Sequence, residues 1–197
     1  MIGNTGQIYK VLLIIITSIA LTGCSALLND TTIGNNLDDT VISASIKKEF
    51  IRRGFKKLYM SINVSVSEGR VLYVGNVVNQ ETIHEALDIA WSQNGVVEVI
   101  NYLFIDDTNQ HLNAKQYSQD KYISANVAAQ LMFTQNVKSH NYTGVSHNSI
   151  VYLFGIARSK DEIKSAVDTV SRIAGVKKVI THMKIRDYIN TPQCFIE

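Results

Sequence analysis

Two stretches of this sequence repeat one another at a spacing of about 80 residues, so whatever fold the chain adopts is built twice. Asp39, Ile42, Ser43, Ala44, Ile46 and Phe50 match Asp120, Ile123, Ser124, Ala125, Val127 and Leu131 at a shift of 81. After a one-residue slip, Val71, Gly75, Ile83, Ala86, Gly95, Val96, Val99, Ile100 and Ile105 match Val151, Gly155, Ile163, Ala166, Gly175, Val176, Val179, Ile180 and Ile185. A chain of 197 residues leaves room for little besides the two copies and the segments that flank them.

Each copy opens with apolar residues four apart, Ile42, Ile46, Phe50 and Ile123, Val127, Leu131, the spacing of one buried helical face. Alternation then predicts a hairpin: Val64, Val66, Val71 and Tyr73 flank the turn Ser67-Glu68-Gly69-Arg70. The second copy has Ser146-His147-Asn148-Ser149 there; it loses the glycine, and Asn148 tolerates the same backbone region. A second helix starts near Asn79 and Ser159, the latter in the capping-box form Ser159-Lys160-Asp161-Glu162. Its apolar stripe is Ile83, Ala86, Leu87, Ala90 or Ile163, Ala166, Val167, Val170; Gly95 or Gly175 stops it, and Val96 to Ile105 or Val176 to Ile185 closes the unit as a strand. The fold class is α+β: two tandem α-β-β-α-β domains, each with two helices on a small three-stranded mixed sheet. The expected organisation is a leader over 1–23, a tether over 24–37, domain 1 over 38–106, a polar linker over 107–119, domain 2 over 120–187 and a tail over 188–197.

The first twenty residues read as a targeting segment: a short polar region ending in Lys10, then an apolar run from Val11 that is too short to cross a bilayer comfortably. It ends in Leu21-Thr22-Gly23-Cys24, which resembles the lipobox of bacterial lipoproteins. The resemblance implies that Cys24 is acylated, with palmitate among its chains, and becomes the mature N-terminus; Ser25 in place of Asp implies delivery to the outer membrane, facing the periplasm. Lipidated Cys24 leaves Cys194 without a partner among the two cysteines, so no internal disulfide is expected and Cys194 reads as a free thiol of the tail.

The repeat itself resembles the BON domain, whose pattern has a buried helix before a V-x-V hairpin, a G-x-V after it and a G-V-x-x-V before the last strand. Gly75-Asn76-Val77 and Gly95-Val96-Val97-Glu98-Val99 carry the pattern in copy one; copy two keeps Gly175-Val176-Lys177-Lys178-Val179 but has Gly155-Ile156-Ala157, with alanine for the valine. Together with the lipobox, this is similar to the dual-BON lipoproteins of the outer membrane. That resemblance implies binding of anionic phospholipid and support of envelope integrity. A periplasmic chaperone or assembly factor, or the scaffold of an envelope protein complex, stands as the alternative, since BON proteins include soluble stress proteins and their sheets can offer edge strands.

Catalytic constellations are missing from the sequence. His84, His111, His140, His147 and His182 are scattered without a metal-ligating spacing, and they read as solvated or locally bonded. No nucleophile elbow, phosphate loop or dinucleotide fingerprint occurs, Asp106-Asp107 reads as a solvated turn, and Trp91 reads as partly buried packing. No enzyme, cofactor, metal, small-molecule substrate or nucleic-acid partner is expected; basic residues interleaved with stacking aromatics are absent.

Charge separates the copies. Leu37 to Ile105 holds seven basic and eight acidic residues, whereas Asp120 to Asp187 holds ten and five, so copy two alone is basic and is drawn toward anionic surfaces. Its first helix has no charged residue from Tyr122 to Val137 and carries a second apolar stripe besides the buried one: Tyr122, Ala125, Ala129, Met132 and Phe133. The expected lipid contact is that stripe with the nearby cations Lys121, Lys138 and Arg158. A helix apolar on two faces buries the second against the bilayer interface, against copy one, or against a partner protein.

Overall fold

The computed structural model describes residues 33–54, 61–106 and 114–186, with side chains from residue 38 onward. The expected leader, Cys24, the expected tether up to residue 32, Asp107, His111, Cys194 and the expected tail lie outside the described residues. Each repeat runs α-β-β-α-β: α1 (Ile33–Arg52), β1 (Ile62–Ser67), β2 (Arg70–Val77), α2 (Gln80–Trp91) and β3 (Glu98–Ile105), then α3 (Ala114–Phe133), β4 (Tyr142–His147), β5 (Ile150–Ala157), α4 (Lys160–Ser171) and β6 (Lys178–Ile185). One 3-10 turn, Ser139–Asn141, leads into β4. Both first helices start earlier than the apolar spacing alone indicates. α3 reaches back to Ala114 because Gln116 still has work to do in the fold, its Nε2 donating to Asp120 at 3.2 Å.

The middle strand of each sheet pairs antiparallel with its hairpin partner and parallel with the closing strand. The parallel pairing requires a crossover, which α2 and α4 supply. Asn79 caps α2 by accepting the Thr82 N–H, and Ser159 caps α4 by accepting the Glu162 N–H, which leaves fewer orphan donors at each start. The helices end at Trp91 and Ser171, each four residues before the glycine expected to stop it. Gly95 and Gly175 sit instead in the following turn, at φ +88° and +92°, where the chain reverses into the last strand. The final strands accordingly begin at Glu98 and Lys178. Trp91 is exposed, not partly buried: it closes α2 beyond the last turn that packs on the sheet, and Ile89, not singled out by the periodicity, is buried there instead.

Gly75 and Gly155 are required for space. A Cβ at Gly75 would stand 2.1 Å from the Ser61 carbonyl oxygen, and one at Gly155 would stand 2.0 Å from that of Asn141, so the glycine of the G-x-V pattern lets the hairpin partner enter the sheet.

Two cores fill the helix-facing sides of the sheets. Ile42, Ile46 and Phe50 pack on Val71, Tyr73 and the α2 stripe; Ile123, Val127 and Leu131 pack on Val151, Leu153, Ala166 and Val170. A third core lies on the other faces. Leu72 and Val74 of β2 meet Tyr152 and Phe154 of β5, all fully buried, with Ile100, Tyr102, Val145, Ile150 and Ile180 around them. The two repeats therefore pack sheet on sheet, with helices outermost on each. Burial of side chains this size contributes roughly 1.5–3 kcal/mol apiece, so the joint is a substantial part of the stability.

Candidate functional site

α3 separates its residues by face. Asp120, Ile123, Val127 and Leu131 are buried at steps of three and four against the sheet, while Tyr122, Ala125, Ala129, Met132 and Phe133 all point to solvent. Phe133 is 81% exposed, the most of any large apolar side chain among the described residues, and Met132 and Tyr122 of the same stripe are 68% and 64% exposed. The second apolar stripe thus lies open; no described residue of the first repeat covers it, because the repeats meet through their sheets. Exposure of this many apolar side chains on one helix is costly unless something covers them in use.

The cations expected beside the stripe fall at two places. Lys138 and Arg158 are anchored at the C-terminal end of α3 by one buried carboxylate. Glu162 Oε1 accepts the Lys138 N–H at 2.7 Å; its Oε2 accepts the backbone N–H and Nε of Arg158, each at 2.9 Å. Arg158 Nη2 also donates to the Asn136 carbonyl at 3.0 Å, just past Phe133. Burial pushes the Glu162 carboxyl up, but its hydrogen-bond donors, the Lys138 N–H foremost, outweigh this and hold it below the ordinary carboxylate range. The capping box is therefore half formed: Ser159 accepts from Glu162, whereas Glu162 turns to Arg158 and Lys138 in place of its own cap. Lys121 is not part of this cluster. It sits beside Tyr122, about 18 Å along the helix from Phe133 at roughly 1.5 Å per residue, with its Nζ 5.3 Å from the Tyr117 ring centre.

Hydrogen bonding places α3 rigidly on its hairpin. Asp120 Oδ1 accepts from Ser146 Oγ at 2.6 Å and from the Ser149 N–H at 2.9 Å; Oδ2 accepts the Asn148 N–H at 2.8 Å. Asp39 does the same for the first repeat, accepting the N–H groups of Glu68 and Gly69 at 2.7 and 2.8 Å. Here burial also acts upward on Asp120, and its donors hold the carboxyl below the usual value. The left-handed turn residues Asn148 and Ser149, at φ 52° and 66°, are tolerated without glycine because their N–H groups have this partner.

A groove of about 440 Å³ lies elsewhere, between α1 and the second repeat's hairpin, lined by Ser43, Lys47, Glu68, His140 and Thr143 among others. None of the expected lipid-contact residues lines it. Among the described residues no group of three or more His, Cys, Asp or Glu is placed to hold a metal, and no helix is long and apolar enough to cross a membrane.

Arg70, His147 and His182 carry roles that residue spacing did not disclose. Arg70 is buried between the sheets, where its Nε donates to Glu98 at 2.7 Å, its Nη2 to the His182 carbonyl at 3.1 Å, and its Cζ lies 5.1 Å from the Phe154 ring centre. The one available signal was the unbroken apolar run in each middle strand, Val71-Leu72-Tyr73-Val74 and Val151-Tyr152-Leu153-Phe154, which marks a strand covered on both faces.

Comparison with known proteins agrees with this architecture. A sequence model of the BON domain matches residues 38–106 and 119–187. The chain is 35% identical over 150 residues to an uncharacterised protein in the gshII 5′ region of Anaplasma centrale, covering 76% of this chain and 96% of that one. It is 28% identical over 156 residues to the outer membrane lipoprotein DolP of Haemophilus influenzae, covering 79% of each. It is 25% identical over 154 residues to the osmotically-inducible protein Y of Escherichia coli, covering 78% of this chain and 76% of that one. No catalytic family is indicated by these matches. With two copies of the α-β-β-α-β unit, each carrying the pattern glycines where close packing needs them, the chain belongs to the BON domain family.

Proposed function

We propose that this protein is an outer-membrane lipoprotein, anchored through acylated Cys24 and facing the periplasm, that binds anionic phospholipid through its second BON domain and supports envelope integrity. The observation that carries the reading is the open face of α3, where Tyr122, Ala125, Ala129, Met132 and Phe133 are exposed on a helix without a charge from Tyr122 to its end at Phe133. Similarity to an outer membrane lipoprotein over 79% of the chain supports the location, as does the lipobox-like Leu21-Thr22-Gly23-Cys24. Lys138 and Arg158 at the end of α3, with Lys121 at its other end, would meet headgroup phosphates, each near-surface cation adding on the order of 1 kcal/mol at an anionic membrane. The acyl chains supply the standing attachment, at roughly 0.8 kcal/mol per buried CH₂.

Co-sedimentation of the protein, prepared without its acyl chains, with vesicles of anionic and of neutral phospholipid tests the contact. Binding to anionic vesicles that disappears in Met132→Glu with Phe133→Glu, while the fold is retained, is the expected result. Unchanged binding in that variant removes α3 from the contact, and equal binding to neutral vesicles removes the charge selectivity. Intact mass measurement tests the anchor: loss of residues 1–23 with acylation of Cys24 is expected, and an unmodified, uncleaved N-terminus overturns it.

A further inference from the structure

We propose that the joint between the two BON domains is acid-sensitive, with His147 and His182 as the groups that loosen it. Both imidazoles sit where one repeat meets the other. His182 of β6 lies with Nε2 2.9 Å from Tyr102 Oη of β3, the rings 5.4 Å apart. Facing it are the Arg70 guanidinium from β2, bonded to the His182 carbonyl, and Glu98 from β3; Lys184 of its own strand reaches the same Glu98 at 3.3 Å. One carboxylate thus already serves two cations, and a third positive charge at His182 has no counter-charge of its own. His147, at the end of β4, stacks 5.5 Å from Phe104 of β3, nearly parallel, with Nε2 2.9 Å from Asn76 Oδ1 of β2. Asp120 of α3 is the charge that favours its protonation, but that carboxylate is taken up by Ser146, Asn148 and Ser149; Asp106 lies behind Asn76, 3.5 Å from its Nδ2.

Burial holds both imidazoles below the ordinary histidine value, and the Arg70 charge adds to this at His182. A lowered value in the closed joint means that closure favours the neutral rings. Their contribution is present above about pH 6.5 and is lost as pH falls through the lower closed-state values. Within that window each histidine raises the opening equilibrium by up to about tenfold per pH unit. The helix-facing cores contain neither ring, so each domain keeps its own core while the openings that expose Leu72, Val74, Tyr152 and Phe154 become more frequent. This device does not depend on the lipid reading.

Nuclear magnetic resonance of the full chain tests it, with imidazole titrations followed beside the shielding of methyl groups from a soluble paramagnetic agent. Between about pH 7.5 and about pH 5.5, the Leu72 and Val74 methyls should lose shielding in step with His147 and His182, while those of Ile46 and Ile123 stay shielded. His147→Gln with His182→Gln should flatten that response. Titration of both rings with Leu72 and Val74 still shielded overturns the proposal in the wild type alone. Equal loosening in the double variant overturns it too, and assigns the acid response to carboxylates.

Discussion

Asp120, in the second turn of α3, accepts the backbone N–H of Ser149 at the tip of the β4–β5 hairpin at 2.9 Å, and thereby ties the proposed contact helix to its sheet. The matching Asp39 makes the equivalent tie in the first repeat, from a less buried position. Asp120→Ala strands the N–H groups of Asn148 and Ser149, and is expected to cost about 3 kcal/mol in denaturant unfolding. Asp39→Ala should cost less, about 1 kcal/mol, because solvent reaches that turn. Since the Asp120 carboxyl is held below its ordinary value of 3.8, its contribution is present above that pH and lost as pH falls through the folded value. The acid limb of stability should therefore flatten in the Asp120→Asn variant.

Glu162 holds both Lys138 and Arg158 and is itself 3% exposed. Glu162→Ala leaves three donor groups without their acceptor and should destabilise the second domain by roughly 2–4 kcal/mol in chemical denaturation. Glu162→Gln, which keeps an acceptor oxygen, should retain more of the fold.

Phe154 is 1% exposed in the core between the sheets and lies under the Arg70 guanidinium. Phe154→Ala should cost about 3 kcal/mol or more and broaden calorimetric unfolding into two steps, since it removes packing shared by the domains and leaves each domain's own core in place.

Gly175 lies at φ +92° with room for a Cβ only 3.3 Å from Ile123 Cδ1 and Gln119 Nε2. Gly175→Val should lower stability by more than about 1 kcal/mol, through backbone strain and crowding of the α3 stripe. Gly155→Ala should cost more than that, because its Cβ meets a backbone carbonyl oxygen that cannot move aside. Thermal unfolding of both variants checks the order.

Sequence alone determined the repeat, the element order, the face each helix buries and the existence of a second apolar stripe on α3, because each is a periodic pattern along a single element. Residue identity also marked Asp39 and Asp120 as equivalent, though not as the ties to the hairpin tips, since that bond spans 29 residues and depends on how helix and hairpin dock. The sequence pattern predicts the helix ends late because Gly95 and Gly175 serve the turn after the helix, and a glycine's spacing does not say which of the two it serves. Only the tertiary structure decided which surface joins the domains. Tyr102 and His182 occupy equivalent positions 80 residues apart and touch each other, a relation between copies that no pattern within one copy contains. The same packing chose sheet against sheet and left α3 uncovered: β2 and β5 carry large apolar side chains on both faces, and burying the four at their centre outweighs covering a helix stripe.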